Sequence, residues 1–129
     1  MIREINFDQT YPIRLEAMYP GEAVDIVKVA GDEEATHFGY FVEDVCVSVV
    51  SVFETNRGYQ VRKFATLPAF QKQGIGSQLL SYVLELYPKP IVLNARVDKI
   101  GYYSRFGFVE TGERFFKNGL DYSVMLLNA

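Results

Sequence analysis

The chain has 129 residues, of which 49% are hydrophobic and 22% charged, so it suits one compact domain over residues 1–129 and excludes a disordered segment. Its net charge of −3 and its scattered lysines and arginines argue against a nucleic-acid surface, which needs clustered basic residues. The charged N-terminal residues exclude a signal peptide, and no apolar run approaches the roughly 20 residues of a membrane helix. We therefore expect a cytoplasmic protein with neither a membrane nor a nucleic-acid partner.

The single cysteine and the single histidine limit the possible metal and disulfide chemistry. Cys46 has no cysteine partner in the chain, which excludes an intrachain disulfide. It lies in an apolar run, where a buried thiol acts as a small hydrophobic residue; a nucleophile is the alternative, although no histidine partner is suggested nearby. Because no paired spacing of metal ligands occurs, we expect no metal site.

The first third of the chain has an irregular pattern. Residues 2–7 alternate loosely and predict a strand. Thr10 to Tyr19 predict a short helix, which Pro20-Gly21 would end. Residues 24–30 predict either a strand or an extended loop.

The next segment predicts an antiparallel meander of three strands. His37 to Glu43 and Val45 to Phe53 are rich in β-branched and aromatic residues and are separated at Glu43-Asp44. A turn at Asn56-Arg57-Gly58 then leads to a third strand over Tyr59 to Leu67.

After the meander, the period of the apolar residues changes to that of a helix. The apolar positions with helical spacing are Ile75, Leu79, Leu80, Val83, Leu84 and Tyr87. Pro88 and Pro90 end this helix, and Ile91 to Leu93 is a wholly apolar run typical of a strand buried on both faces. Residues 59–95 thus predict a βαβ unit with parallel strands and a right-handed crossover.

The C-terminal third predicts a second helix and a hairpin. The helix covers Asp98 to Phe106, with Asp98 as its N-cap and Gly107 at its end. Residues 108–116 and 120–127 form strands around Asn118-Gly119, a strong hairpin signal. The fold class is therefore α/β with a mixed sheet: an antiparallel meander, a βαβ unit, a helix and a C-terminal β-hairpin.

Gly74 and Gly76 lie where the first predicted helix begins. The first turn of a helix has unpaired N–H groups and a partial positive charge, and glycine allows an anion to approach the backbone. A phosphate could be held there by main chain, although the two glycines alone could equally serve only a tight turn. The sequence is not a P-loop, because Ser77-Gln78 follows Gly76, and it is not the dinucleotide fingerprint, because Leu79 replaces the third glycine.

Two stretches of the chain together resemble the GNAT acetyltransferase family. The first is Lys63-Phe64-Ala65-Thr66-Leu67-Pro68 followed by Gln71-Lys72-Gln73-Gly74-Ile75-Gly76, which resembles the acyl-CoA motif. The second, Gly101-Tyr102-Tyr103-Ser104-Arg105-Phe106-Gly107-Phe108, resembles the family's later signature. The first third resembles a group of small bacterial members of the family.

The resemblance implies a GNAT fold and an N-acetyltransferase. This enzyme would transfer an acetyl group from acetyl-CoA, its cosubstrate, to a primary amine by direct attack in a ternary complex, without a metal. The acceptor would be a small-molecule or peptide amine. Dimers are common in the family, so a homodimer is one expected state.

The resemblance also implies roles for individual residues. The acyl-CoA contacts would come from Phe64, Ala65, Thr66, Lys72, Gln73, Gly74, Ile75, Gly76, Ser77 and Asn94. Tyr103 occupies the position of the general acid that protonates the CoA thiolate. A packing role for Tyr103 and a turn or capping role for Asn94 are the alternatives.

The general base and the acceptor contacts are less defined. The central strand, Tyr59 to Leu67, contains no acid, so Glu43, Glu54, Asp98 and His37 are the candidates for the base. Acceptor contacts are expected from the irregular first third, and the residues chosen are Arg14, Glu33, Glu34 and His37.

Two other functions stay open at this stage. A GNAT-fold module could bind acyl-CoA as a sensor or partner domain without turnover, which the missing acid on the central strand favours. An unrelated α/β protein could use the glycines only as turn formers.

Overall fold

A computed structural model of the chain describes residues 1–128 as a mixed α/β structure. Its strands are β1 (Ile2–Ile5), β2 (Thr36–Val42), β3 (Val45–Thr55), β4 (Gly58–Thr66), β5 (Ile91–Arg96), β6 (Val109–Lys117) and β7 (Leu120–Leu127). Its α-helices are α1 (Tyr11–Met18), α2 (Ile75–Leu86) and α3 (Ile100–Ser104). The hydrogen-bonded strand order is β1-β2-β3-β4-β5-β7-β6.

The chain divides into two compact units, each made of two segments. The first unit comprises Met1–Phe53 and Val61–Leu86, and the second comprises Glu54–Gln60 and Tyr87–Ala129. Both β3 and β4 therefore begin in one unit and end in the other. The expectation of one domain over residues 1–129 stays a prediction.

The first unit is a sheet covered on both faces. β1 and β2 pair antiparallel, with Ile5 opposite His37, and β2 and β3 pair antiparallel, with His37 opposite Ser51. On one face, Ile13 of α1 is buried with Ile5, Val49 and Ala65. α2 covers the other face, where the rings of Phe38 and Tyr82 meet edge to face at 6.4 Å. The apolar period that predicted α2 corresponds to its buried face.

The second unit contains the parallel strand pair and the hairpin. Tyr59 and Gln60 at the start of β4 pair with Ile91 and Val92 of β5 in parallel, which confirms the predicted βαβ arrangement. β5 pairs antiparallel with β7, and β7 pairs antiparallel with β6. Asn118 and Gly119 have φ angles of 51° and 79°, as the type I′ turn of a two-residue hairpin requires.

Two predicted elements differ from the structure. Residues 24–30 are not a strand or an extended loop throughout, because Val24–Val27 forms a 3₁₀ helix closed by hydrogen bonds from Ile26 N to Ala23 O and from Lys28 N to Asp25 O. The predicted helix over Asp98 to Phe106 begins as a 3₁₀ turn, Val97–Lys99, and is α-helical only over α3. Asp98 is not an N-cap, because it lies inside the 3₁₀ turn and Lys99 is the N-cap of α3; the Asp98 carboxylate accepts a hydrogen bond from Arg96 at 3.1 Å.

Candidate functional site

The loop before α2 has the backbone shape of an anion cradle. It follows a 3₁₀ turn, Pro68–Phe70, and contains two residues with positive φ, Lys72 at 64° and Gly74 at 80°. Such reversals turn successive N–H groups toward a common side, and here they directly precede the N-terminus of a 12-residue helix. Residues 71–74 are exposed, so a ligand can reach this backbone from solvent.

Two glutamine side chains fix this loop to the segment before it. The Gln71 amide donates to the Thr66 carbonyl at 3.0 Å, and the Gln73 amide donates to the Ala69 carbonyl at 3.2 Å. These bonds connect the loop to the end of β4 and to the 3₁₀ turn. The sequence motif placed Gln71 in the loop but gave no sign that its side chain binds the end of β4.

The two motif glycines meet different structural requirements. A Cβ at Gly74 would have only Gln78 Nε2 within 4 Å, at 3.9 Å, so Gly74 is required for its positive φ. A Cβ at Gly76 would lie 3.1 Å from both Phe64 Cζ and Thr66 Oγ1. A side chain at position 76 would therefore enter the contact between α2 and β4, while a phosphate contact at Gly76 stays a prediction.

The end of β4 is held by a hydroxyl pair. Ser48 Oγ donates to the Ala65 carbonyl at 3.1 Å and lies 2.8 Å from Thr66 Oγ1. Because the Ser48 proton goes to Ala65, the Thr66 hydroxyl is the donor between the two hydroxyls. Ser48 is buried and was not among the residues chosen from sequence, since a serine inside an apolar strand has no distinguishing spacing.

The remaining predicted acyl-CoA residues in the first unit lie around the start of α2. Lys72 and Gln73 are exposed, and Ser77 is half-buried. The Ile75 side chain is buried in the core, so only its main chain can face a ligand. The structure thus brings residues 64–66 and 72–77 onto one strand–loop–helix segment.

In the second unit, Tyr103 lies on α3 among aromatic residues. Its ring meets Tyr102 edge to face at 5.2 Å and Phe108 at 6.2 Å. Burial, with a smaller contribution from Tyr102, raises the pKa of Tyr103 to about 12. The phenol therefore keeps its proton throughout the neutral range. Asn94 is exposed on β5, opposite Val124 of β7.

Arg14 and His37, chosen as acceptor contacts, are the centre of a buried network. Arg14 is 0% exposed, and its two terminal nitrogens donate to the Asp32 carboxylate at 2.9 and 3.0 Å. Arg14 also donates to the Val27 carbonyl at 3.0 Å and to Ser51 Oγ at 2.9 Å. Burial tends to raise the pKa of Asp32, but hydrogen bonds from Arg14 and the Val29 N–H, with the Arg14 charge, hold it below its ordinary value.

The His37 ring has both nitrogens in this network. Nε2 lies 2.8 Å from the Asp32 carbonyl, which can only accept, so Nε2 carries the proton. Nδ1 lies 2.6 Å from Ser51 Oγ, whose hydroxyl can donate to it while accepting from Arg14. Because only 2% of His37 is exposed, both ring nitrogens bind groups inside the first unit.

The other acceptor and base candidates lie on the surface. Glu33 and Glu34 are exposed and directly follow Asp32, so the buried network fixes the segment that carries them. Glu43 is exposed in the β2–β3 turn, with φ of 49°, and Glu54 is exposed near the end of β3.

Residues 1–128 lack two kinds of structural feature. No helix in this range is long and apolar enough to cross a membrane. Within the same range, no three His, Cys, Asp or Glu side chains are grouped so that they could hold a metal ion.

Comparison with known proteins identifies the family of this chain. Residues 17–129 match the acetyltransferase (GNAT) domain family. The uncharacterized N-acetyltransferase YitI of Bacillus subtilis is 28% identical over 127 residues, which cover 88% of this chain and 85% of that protein.

Solved structures share the fold at low sequence identity. An acyl-CoA N-acyltransferase from Pseudomonas aeruginosa superimposes with a TM-score of 0.80 at 18% identity, covering 98% of this chain and 97% of the other. A GNAT family acetyltransferase from Elizabethkingia anophelis with acetyl-CoA bound gives a TM-score of 0.71 at 18% identity, covering 100% and 97%. From the family match over most of its length and from this fold, we conclude that the chain belongs to the GNAT acetyltransferase family.

Proposed function

We propose that this protein transfers an acetyl group from acetyl-CoA to a primary amine by direct attack in a ternary complex. The observation that carries the proposal is the loop before α2, where positive φ angles at Lys72 and Gly74 precede the helix N-terminus. Such a backbone suits the pyrophosphate of CoA, because unpaired N–H groups and the helix dipole both favour an anion. The acetyl-CoA bound to the Elizabethkingia relative supports this choice of ligand.

The reaction moves one proton from the amine to the departing sulfur. The nitrogen lone pair attacks the thioester carbon, the C–S bond of the intermediate breaks, and the sulfur leaves as a thiolate. We propose that main-chain groups of Phe64 to Thr66 hold the pantetheine arm and stabilise the oxyanion, a contribution worth roughly 3–4 kcal/mol per donor in other acyl-transfer enzymes. Asn94 is proposed as a further contact of the pantetheine arm.

Tyr103 is proposed as the group that protonates the thiolate. A phenol with a pKa of about 12 is protonated at every pH where the enzyme would work. Transfer to a thiolate with a pKa of about 8.5 is uphill by about 3.5 units, or about 5 kcal/mol. The proton that the attacking nitrogen loses can offset this cost by restoring the phenol.

The acceptor is proposed to bind along the first third of the chain. Glu33 and Glu34 are exposed there and would attract a cationic amine. Arg14 and His37 belong to the same proposed region but lie inside it, so their contribution would be to hold the segment in place.

A non-catalytic acyl-CoA-binding module is the second candidate. The observation that favours it is β4, Gly58–Thr66, which contains no carboxylate that could serve as a general base. The two functions differ in turnover and agree in ligand binding.

The test combines CoA binding with turnover. We expect calorimetry to show binding of acetyl-CoA, and we expect free CoA to accumulate when acetyl-CoA is mixed with a panel of primary amines. The control reaction omits the amine. Binding without amine-dependent CoA release would support the non-catalytic module, and the absence of both would overturn the assignment of the loop.

A further inference from the structure

A bulge in β4 points two consecutive cationic side chains to the same face of the sheet. Neighbouring residues of a regular strand point to opposite faces. Lys63 instead has φ of 54°, a left-handed conformation that re-aims side chains in a bulged strand. Arg62 lies over the Phe53 ring, 5.1 Å from its centre, and Lys63 Nζ lies 5.8 Å from the centre of the Tyr19 ring.

Tyr19 belongs to the segment that follows α1, and Phe53 is a residue of β3 whose ring lies against that segment. The Phe53 ring lies against Gly31, where a Cβ would be 3.6 Å from the ring, and its centre is 6.5 Å from that of His37. The two cations therefore face the segment that is proposed to bind the acceptor.

Neither cation forms an ion pair with another side chain of residues 1–128. Both residues are half-buried. Two adjacent like charges repel each other, and the ring contacts, worth about 0.5–1 kcal/mol each, supply no formal negative charge. An anion bound between them would relieve the repulsion.

The cation pair is separate from the proposed pyrophosphate site. Beyond the bulge, Phe64 and Thr66 point toward Gly76 of α2, on the opposite face of β4. The pyrophosphate loop continues from that end of the strand into α2. The Arg62 and Lys63 charges are therefore directed away from the loop that is proposed to hold CoA.

We propose that Arg62 and Lys63 bind a carboxylate of the acceptor, so that the substrates are small amines bearing a carboxylate, such as amino acids. This inference rests on the proposed acetyl transfer and names the substrate class of that site. The cation pair precedes Phe64 to Thr66, whose main chain is proposed to hold the thioester. A carboxylate bound at the pair would keep the amine of a small amino acid near the acetyl group.

The test uses acetylated products, because their binding does not depend on turnover. The probes are the N-acetyl derivatives of alanine, leucine and phenylalanine, each as the free acid and as the uncharged amide, titrated into the CoA-loaded protein by NMR. We expect at least one acid to bind about tenfold or more tightly than its amide, because a charge-assisted hydrogen bond is lost in the amide. Arg62→Gln and Lys63→Gln should each remove that preference and leave CoA affinity unchanged.

Two controls separate charge from packing. Arg57→Gln removes a cation from the exposed β3–β4 turn and should leave the preference intact. Arg62→Lys keeps the charge and should keep most of the preference, and chemical denaturation verifies that each variant is folded.

The inference is overturned if acids and amides bind alike, if none of the probes binds, or if the Gln variants bind acids as the wild type does. It is also overturned if the Gln variants lose CoA affinity, since the cations would then belong to the CoA site. Acetylation of the free amino acids and their amides in the same samples tests the enzyme function separately. A protein that acetylates none of them but distinguishes the acid probes would lose the proposed activity and keep the carboxylate site.

Discussion

Tyr103 lies among aromatic residues, and burial keeps its phenol protonated across the neutral range. Burial raises the pKa of Tyr103 to about 12. Sequence could place Tyr103 in a family signature, but the burial that raises its pKa is a property of the folded chain that the signature does not give.

We predict that Tyr103→Phe lowers kcat by about 10²–10⁴-fold and leaves acetyl-CoA affinity unchanged, since only the proton donor is lost. Steady-state kinetics and calorimetry measure the two effects. Tyr102→Phe is the matched control and should retain kcat. The wild-type kcat should show no loss from Tyr103 ionisation between about pH 6 and pH 10, because its pKa lies higher. An unchanged kcat in Tyr103→Phe would exclude the general-acid role.

Hydrogen bonds between side chains that are far apart in the sequence could not be predicted. Arg14 and Asp32 are 18 residues apart, and Arg14 and Ser51 are 37 apart, so no local spacing could reveal that they share one network. Arg14 and His37 were chosen as acceptor contacts because polar residues in an irregular segment suggest a cleft. A guanidinium with this many internal partners can instead be buried completely.

At the scale of elements, two glycines at the start of α2 have different structural roles. Gly74 supplies a positive φ, and Gly76 leaves room for the contact between α2 and β4. We predict that Gly74→Ala weakens acetyl-CoA binding, because φ of 80° is strained for alanine by about 1–2 kcal/mol and the loop would shift. Gly21→Ala is the control, with φ of 84° and nothing within 4 Å of its Cβ. Both variants should lose similar stability in chemical denaturation, but only Gly74→Ala should lose affinity in calorimetry.

Chemical denaturation and calorimetry also distinguish the role of Gly76 from that of Gly74. We expect Gly76→Val to lower the free energy of unfolding by about 1–3 kcal/mol, because its side chain would enter the α2–β4 contact. A Gly76→Val protein as stable as the wild type, or a Gly21→Ala protein with equally weakened acetyl-CoA binding, would contradict this division of roles.

Sequence predicted well the elements whose apolar residues follow a clear pattern or whose turn has a specific residue pair. β2, β3, α2 and the C-terminal hairpin follow from β-branched runs, a helical apolar stripe and Asn118-Gly119. The 3₁₀ helix over Val24–Val27 was missed because its apolar residues suggested a strand, yet Val24 and Ile26 are exposed at 45% and 46%. The bulge at Lys63 had no sequence signal either, since lysine is not a residue that favours a positive φ.

For the whole molecule, the buried Arg14–Asp32 pair links global stability to pH. The Asp32 pKa is held below its ordinary value of 3.8, so the ionised carboxylate stabilises the folded state. This contribution is complete above the ordinary value and is lost as the pH falls toward the lowered pKa. We predict that wild-type stability falls below about pH 4 and that the Asp32→Asn variant loses less over the same range.

At neutral pH, Asp32→Asn should lower the free energy of unfolding by about 3–5 kcal/mol, because it leaves the buried Arg14 charge uncompensated. The double variant Arg14→Met with Asp32→Asn should lose less free energy of unfolding than the sum of the losses in the two single variants, since each change removes the same interaction. Denaturant titrations at several pH values measure both effects. Additive losses and parallel pH profiles would show that the pair does not act as described.

The two-segment composition of each unit has a consequence for synthesis on the ribosome. The first unit needs residues 61–86 as well as residues 1–53, so its N-terminal strands and α1 are made before the strand and helix that complete their core. At about 5–20 residues per second, the early segment waits for several seconds with apolar residues such as Val49 and Val50 uncovered. During that interval a nascent chain of this protein would be a target for chaperones, and slow codons after position 86 would help its first unit to close before the hairpin strands appear.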